Sequence, residues 1–184
     1  ELTELIYLDL YKNQLKKIPD SIGKLTKLMK LNLGNNQLTK IPDSIGKLKE
    51  LEKLSFKENQ LTAIPKTIGE LKKLEVLLLD NNKLTSLPDS IGQLKKLQHL
   101  DLFDNQLTKL PNTIGNLAKL KKLELDENKL TTLPESIAQL KKLRMLNIGD
   151  NPIKSIPKPV EEAIKEIKSR GNVSDYDFSY DDDD

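Results

Sequence analysis

Cysteine is absent from the chain, which excludes disulfides, thiolate metal sites and a cysteine nucleophile. Tryptophan is absent too, and aromatic residues make up only 4% of the sequence. A single histidine, His99, leaves no pair for a two-histidine metal motif, and no glycine-rich loop offers to cradle a phosphate. No apolar run approaches the roughly 20 residues that span a bilayer, so no membrane insertion is expected. The 36% hydrophobic content of 184 residues is enough for one domain. Charge is uneven. The last ten residues hold six Asp and no Lys or Arg, and without them the chain carries eight more basic than acidic residues. The organisation is therefore a basic body followed by an acidic tail.

What the chain does contain is repetition. Leu5, Leu28, Leu51, Leu74, Leu97, Leu120 and Leu143 each open a unit LxxLxLxxNxLxx[IL]Pxx[IV], and successive units start 23 residues apart. The asparagine column runs Asn13, Asn36, Asn59, Asn82, Asn105, Asn128 and Asn151. The proline column runs Pro19, Pro42, Pro65, Pro88, Pro111, Pro134 and Pro157. The LxL alternation sends both leucines to one face of a short strand. Asparagine stands where the chain leaves that strand, and its amide suits turn backbone that leucine cannot satisfy. Proline, lacking an N–H, opens a helical turn on the return limb. Ser or Thr two residues later is expected to help cap that turn. Gly23, Gly46, Gly69, Gly92 and Gly115 are expected to end it tightly. One unit cannot bury its own apolar edge, so the units must stack and pair their strands in parallel.

This pattern resembles the leucine-rich-repeat family, in its 23-residue class with "LP" or "IP" on the return limb. Similar arrays occur in Ras-interacting scaffolds and in bacterial proteins such as those of Leptospira. The resemblance implies an α/β fold: a right-handed horseshoe solenoid with a parallel concave sheet. It also implies protein binding rather than catalysis. The expected divisions are a repeat array over residues 1–156, a capping helix over 157–171 and an acidic tail over 172–184. In "PVEEAIKEIKSR" the glycine column has become Ala138 and then Glu161. A helix can therefore run on there, with Val160, Ala163, Ile164 and Ile167 on one face. At the other end "ELTE" looks like the tail of an earlier repeat, which predicts truncation or processing upstream.

Strand residues that alternate with the inner leucines belong to the concave face. Position three of the unit reads Tyr7, Lys30, Lys53, Val76, His99, Lys122, Met145. Position five includes Leu78, Asp101 and Glu124. Position seven includes Tyr11, Lys57, Asp80, Phe103 and Asp126. These columns vary most, and the fold does not dictate them. Val76 and Leu78 are expected to lie exposed on the sheet beside His99 and Asp101. They would form an apolar centre, with Lys30, Lys53 and Lys57 on one side and Asp101, Glu124 and Asp126 on the other. An apolar centre in a charged surround is the anatomy of a protein-binding patch.

Other readings are weaker. His99, Asp101, Glu124 and Asp126 offer donors for Zn²⁺ or Ca²⁺, but Lys122 beside His99 disfavours a cation. An ordinary surface histidine and no metal or cofactor are expected. Carboxylates on an open sheet lack a closed pocket to raise a pKa, so no enzyme activity is expected. The column Lys27, Lys73, Lys96, Lys119 and Lys142, broken by Glu50, forms a positive edge. Without aromatics or an arginine cluster it reads as solvated surface, not a nucleic-acid site. The chain is read as a monomer, or as weakly self-associating through its N-terminal edge or acidic tail. A secreted or cell-surface bacterial protein is the favoured setting. An intracellular scaffold and a purely structural or artificial repeat without a natural ligand are the alternatives.

Overall fold

The computed structural model describes residues 2–169. Seven strands, β1 (Tyr7–Asp9), β2 (Lys30–Asn32), β3 (Lys53–Ser55), β4 (Val76–Leu78), β5 (His99–Asp101), β6 (Lys122–Glu124) and β7 (Met145–Asn147), form one open parallel sheet in chain order. The register is uniform: each residue faces its equivalent 23 positions on, as in Lys53↔Val76↔His99↔Lys122↔Met145. One return turn per coil closes the loop, as 3-10 helix at Asp20–Lys24, Asp43–Lys47, Lys66–Glu70, Asp89–Gln93, Asn112–Asn116 and Glu135–Gln139. The leucine columns fill the space between sheet and turns. In the middle coils Leu74, Leu77, Leu79, Leu84, Leu97, Leu100 and Leu102 are wholly inaccessible to water.

The asparagine column is a polar ladder inside this apolar stack. Asn82 donates from Nδ2 to the carbonyls of Phe56, Leu79 and Asp80, while its Oδ1 accepts the N–H of Leu61. Asn36, Asn59, Asn105 and Asn128 repeat the pattern, so each amide stitches its own bend to the coil before it. The residue just before each asparagine has a left-handed backbone, with φ between 46° and 54° from Lys12 to Asp150. Sequence reasoning passed over this column. Its signal was the Asn or Asp found at Asn35, Asn81, Asp104 and Asp150, the side chains that best tolerate that conformation.

Two expectations for the return limb need correction. Proline does stand at the N-cap, but no serine or threonine side chain caps the turn. These residues instead lie against the glycine of the preceding coil. A Cβ on Gly92 would sit 2.3 Å from the Thr113 carbonyl oxygen, and one on Gly115 2.4 Å from that of Ser136. None of the stacked glycines needs a positive φ. Glycine is there to admit the next coil, not to end the turn.

That reading explains the C-terminal end. After Ala138 comes no further tight turn; helix α1 (Lys158–Ser169) packs over the last one instead. Val160 is fully buried, and Ile164 and Ile167 pack on the core. The expected cap helix exists, described over Lys158–Ser169. Gly171 and the acidic tail, with its alternating Tyr176, Phe178 and Tyr180, lie outside the described residues. At the other end β1 is the edge strand of the sheet. The large exposed hydrophobics among the described residues, Leu2, Ile6, Tyr7 and Tyr11, lie in this first coil or just before it.

Candidate functional site: the concave sheet

The sheet brings the named residues together as the register requires, but it does not leave them equally accessible. Tyr7, Tyr11 and Lys30 are exposed. Lys53, Lys57, Leu78, Asp80, Asp101, Phe103, Lys122, Glu124, Asp126 and Met145 are half-buried. Val76 and His99 are buried, at 3% and 5% exposure. The expectation of an exposed Val76 and a surface His99 is therefore wrong. Val76 does point away from the leucines, since it lies outside the core cluster. Strands about 4.8 Å apart carry Lys53 on one side of it and His99 on the other, and these neighbours exclude water laterally. Alternation along a strand sets the face; crowding across strands decides how much of it is wet. The apolar part a ligand meets is thus Leu78 and Phe103.

The N-terminal half of the face is basic and anchored by aromatic rings. Gly34, at position seven of the second coil, has no side chain, and Lys57 crosses the gap. Its Nζ lies 5.2 Å from the centre of the Tyr11 ring, a cation–π contact. A Cβ on Gly34 would sit 2.9 Å from Lys57 Cγ and 3.1 Å from Tyr11 Cδ2, so glycine is what permits this arrangement.

The C-terminal half is acidic. His99 Nε2 lies 3.0 Å from Glu124 Oε1, and Lys122 Nζ lies 2.9 Å from the same oxygen. These two groups hold Glu124 down, to about 2, against the opposing effect of burial. Asp101 moves the other way. Burial first, then the Glu124 charge, pushes its carboxyl up to about 8. Asp80, one coil earlier, is also raised by burial. The expectation that an open sheet cannot shift a carboxyl is overturned, because lateral crowding desolvates these groups without any closed pocket.

Some of the variation in position five is structural. Asp101 Oδ1 accepts the Phe103 N–H at 3.0 Å, Asn32 Oδ1 that of Gly34 at 3.1 Å, and Asp9 Oδ1 that of Tyr11 at 2.7 Å. Each side chain holds the bend at the end of its own strand. Asp126 Oδ1 likewise accepts the Gly149 N–H across coils at 2.8 Å. His99, Asp101 and Glu124 place donor atoms within 4.8 Å of one another, the separation of a metal-binding trio. Lys122 already brings a positive charge to that trio. On the lysine edge, Lys73 pairs with Glu50, the residue that interrupts its column.

An open parallel solenoid with an asparagine ladder and a side-chain-bearing inner sheet defines a class of repeat proteins, and the comparisons name it. Leucine-rich-repeat models match three stretches. They are a leucine-rich repeat region over residues 54–125, a leucine rich repeat over 104–153 and a two-copy repeat over 3–46. The chain belongs to the leucine-rich-repeat family. Among solved structures it is similar to a leucine-rich-repeat protein of Leptospira interrogans, at 36% identity and TM-score 0.76. That match covers 88% of this chain and 47% of the other. It is also similar to the ectodomain of the Arabidopsis thaliana receptor kinase GASSHO1/SCHENGEN3, solved in complex with CASPARIAN STRIP INTEGRITY FACTOR 2. There the identity is 38% and the TM-score 0.81, over 88% of this chain and 20% of that one. PEPR1, solved with AtPEP1, matches at 41% identity and TM-score 0.77 over 84% of this chain and 22% of its own. The chain thus spans less than half the length of each of these structures. No curated protein sequence matches it.

Proposed function

We propose that this chain is a noncatalytic protein-interaction module that binds a protein or peptide on its concave sheet. The observation that carries this reading is the contrast between columns. The leucine, asparagine and glycine positions are nearly invariant and buried. Positions three, five and seven change from coil to coil and carry both charge signs and part-exposed apolar groups, with Leu78 and Phe103 at the centre of the face. Folding alone does not require charge of opposite sign at the two halves of one rigid face. The GASSHO1/SCHENGEN3 ectodomain and PEPR1, similar to this chain and each solved with a named partner, support a ligand of peptide or protein nature. Catalysis finds no support: in the strongest polar cluster, Glu124 is already engaged by His99 and Lys122.

A finer reading places the protein in a bacterium, secreted or at the cell surface. The similarity to the Leptospira protein supports the bacterial part. The rival is an intracellular scaffold, and a secretion leader encoded upstream separates the two. We read the chain as a monomer, with weak self-association through the β1 edge and its exposed Leu2, Ile6 and Tyr7 as the route to any dimer.

The test is affinity capture with the wild-type chain and with a Leu78→Glu, Phe103→Glu variant, after circular dichroism confirms that both are folded. A partner captured by the wild type and lost by the variant is the expected result. A partner that survives both substitutions assigns binding to another surface.

A further inference from the structure

The distribution of charge along the solenoid axis says more about the ligand than that it binds. Coils two and three present Lys30, Lys53 and Lys57. Coil four presents Leu78, with Phe103 diagonal to it on coil five. Coils four to six present Asp80, Asp101, Glu124 and Asp126. From the middle of the basic group to the middle of the acidic group is about three coils, or roughly 14 Å at ~4.8 Å per strand. An extended peptide rises ~3.3 Å per residue, so about four residues cover that span.

Resting on the concave-face reading above, we propose that the ligand is an extended peptide segment lying across the strands with its charges segregated. Its acidic residue meets Lys30, Lys53 and Lys57, its aliphatic residue sits on Leu78 and Phe103, and its arginine or lysine enters the Asp80–Asp101–Glu124 cluster some four residues away.

Three features favour this occupant. The first is complementarity: one rigid face carries two opposite fields, and a ligand of either single sign is repelled by one end. The second is the shape of the acidic end. Asp101 stands between Asp80 on one coil and Glu124 on the next, and its carboxyl lies within 4.8 Å of the Glu124 carboxyl, a pair that one guanidinium can bridge. The third is the charge around Asp101, which has an acid on either side. Glu124 is answered by His99 and Lys122, whereas Asp101 is crowded by two acids and retains a proton. An incoming cation supplies what the proton now supplies, and binding at neutral pH releases it. The titratable groups that face Asp101 are Asp80 from coil four, His99 from its own coil, and Glu124, with Lys122 paired to it, from coil six.

A fluorescence-anisotropy comparison of labelled eight-residue peptides tests this directly. The peptides share one composition, two Glu, two Arg, two Leu and two Thr, in different orders. The expected result is tightest binding when the Glu and Arg pairs flank the Leu pair, with at least a tenfold advantage over alternating charge. Lys53→Glu with Lys57→Glu should abolish that preference, and a peptide with Arg at both ends should then bind the variant better than the wild type. Affinity for the segregated peptide should also rise from pH 6 to pH 9, and that rise should flatten in Asp101→Asn. Equal binding of all orders, lost in Leu78→Glu, would overturn the charge assignment while leaving the concave-face reading intact. Binding unaffected by Leu78→Glu would sink both. Tight binding of Zn²⁺ alone, lost in Asp101→Asn, would make the acidic end a metal site and remove the peptide's cation from the proposal.

Discussion

The first and fourth coils carry the same consensus residues and live in different environments. In the fourth, Leu74, Leu77 and Leu79 have no contact with water, and Asn82 makes four hydrogen bonds. In the first, Leu5, Leu8 and Leu10 are half-buried, and Asn13 donates only to Leu10 and Tyr11 of its own bend. Nothing in the local sequence separates them. What differs among the described residues is the number of neighbours: two coils flank the fourth, and one flanks the first. In a solenoid the energy of a residue is set by the stack it sits in, and an edge coil holds much less of it.

The comparison is tested most sharply by deleting equivalent leucines. Leu77→Ala should cost about 3–5 kcal/mol, since it opens a cavity walled by neighbours that cannot collapse. Leu8→Ala, at the half-buried edge position, should cost on the order of 1 kcal/mol. Urea unfolding of both variants measures the gap. Equal losses would mean that the first coil is as tightly held as the fourth. The asparagine column gives a second, smaller contrast. Asn82→Ala leaves the Leu61 N–H and three carbonyls without their partner in a dry interior, at a cost of about 2–3 kcal/mol. Asn13→Ala should cost less than about 1 kcal/mol, because its bonds are exposed to water.

Most of the architecture was legible from spacing. A 23-residue period with leucine two positions after leucine leaves one way to bury every unit, and the seven-strand parallel register follows from it. The cap helix was legible because the glycine column becomes Ala138 and then Glu161 as the helix is approached. Two things were not legible. Sequence alternation told which face Val76 and His99 occupy, but not that strands a few ångströms apart would dry them. It also placed glycine at Gly92 without telling why, since a close approach by Thr113 leaves no mark on the glycine's own neighbours. Both failures concern packing between coils, which a single unit does not contain. The glycine case makes a further contrast along the stack. Gly92→Ala drives a methyl toward the Thr113 carbonyl at 2.3 Å and should cost about 2–3 kcal/mol. Gly23→Ala meets the Ser44 carbonyl at 2.8 Å, nearer the loose end, and should cost about 1 kcal/mol.

The acidic cluster sets the middle coils apart from the first in their response to pH. Asp101 has a folded-state pKa of about 8 against 3.8 for its unperturbed value, so its contribution to stability is complete below pH 4 and is lost as pH rises through 8. Glu124, held to about 2, contributes stability above its ordinary 4.5 and loses it as pH falls toward 2. For this pair, stability is greatest near pH 4–5, between the two losses. Asp101→Asn keeps an acceptor for the Phe103 N–H and a donor for Glu124 while removing the titration. It should unfold like the wild type at pH 4 and gain on the order of 2 kcal/mol relative to it at pH 9. Parallel melting curves at the two pH values decide the point.

The smallest effect concerns the left-handed residue before each asparagine. Lys12, Glu58 and Glu127 hold a φ near 50° with side chains poorly suited to it, while Asn35 and Asn81 occupy equivalent positions comfortably. Glu127 is the cleanest to change, because it is exposed and its equivalent Glu58 accepts a hydrogen bond from Asn35 that a substitution there would lose. Glu127→Asn should raise stability by about 0.5 kcal/mol, visible as a small upward shift in the urea midpoint with an unchanged slope. The same replacement at Lys12 relieves the same strain. In the first coil, held by one neighbour, part of that strain is free to relax by local fraying, so the gain there should be smaller. Matched gains at the two positions would mean that the first coil is held in its bend as firmly as the sixth. Its half-buried leucines would then understate how completely the stack imposes one conformation on every unit.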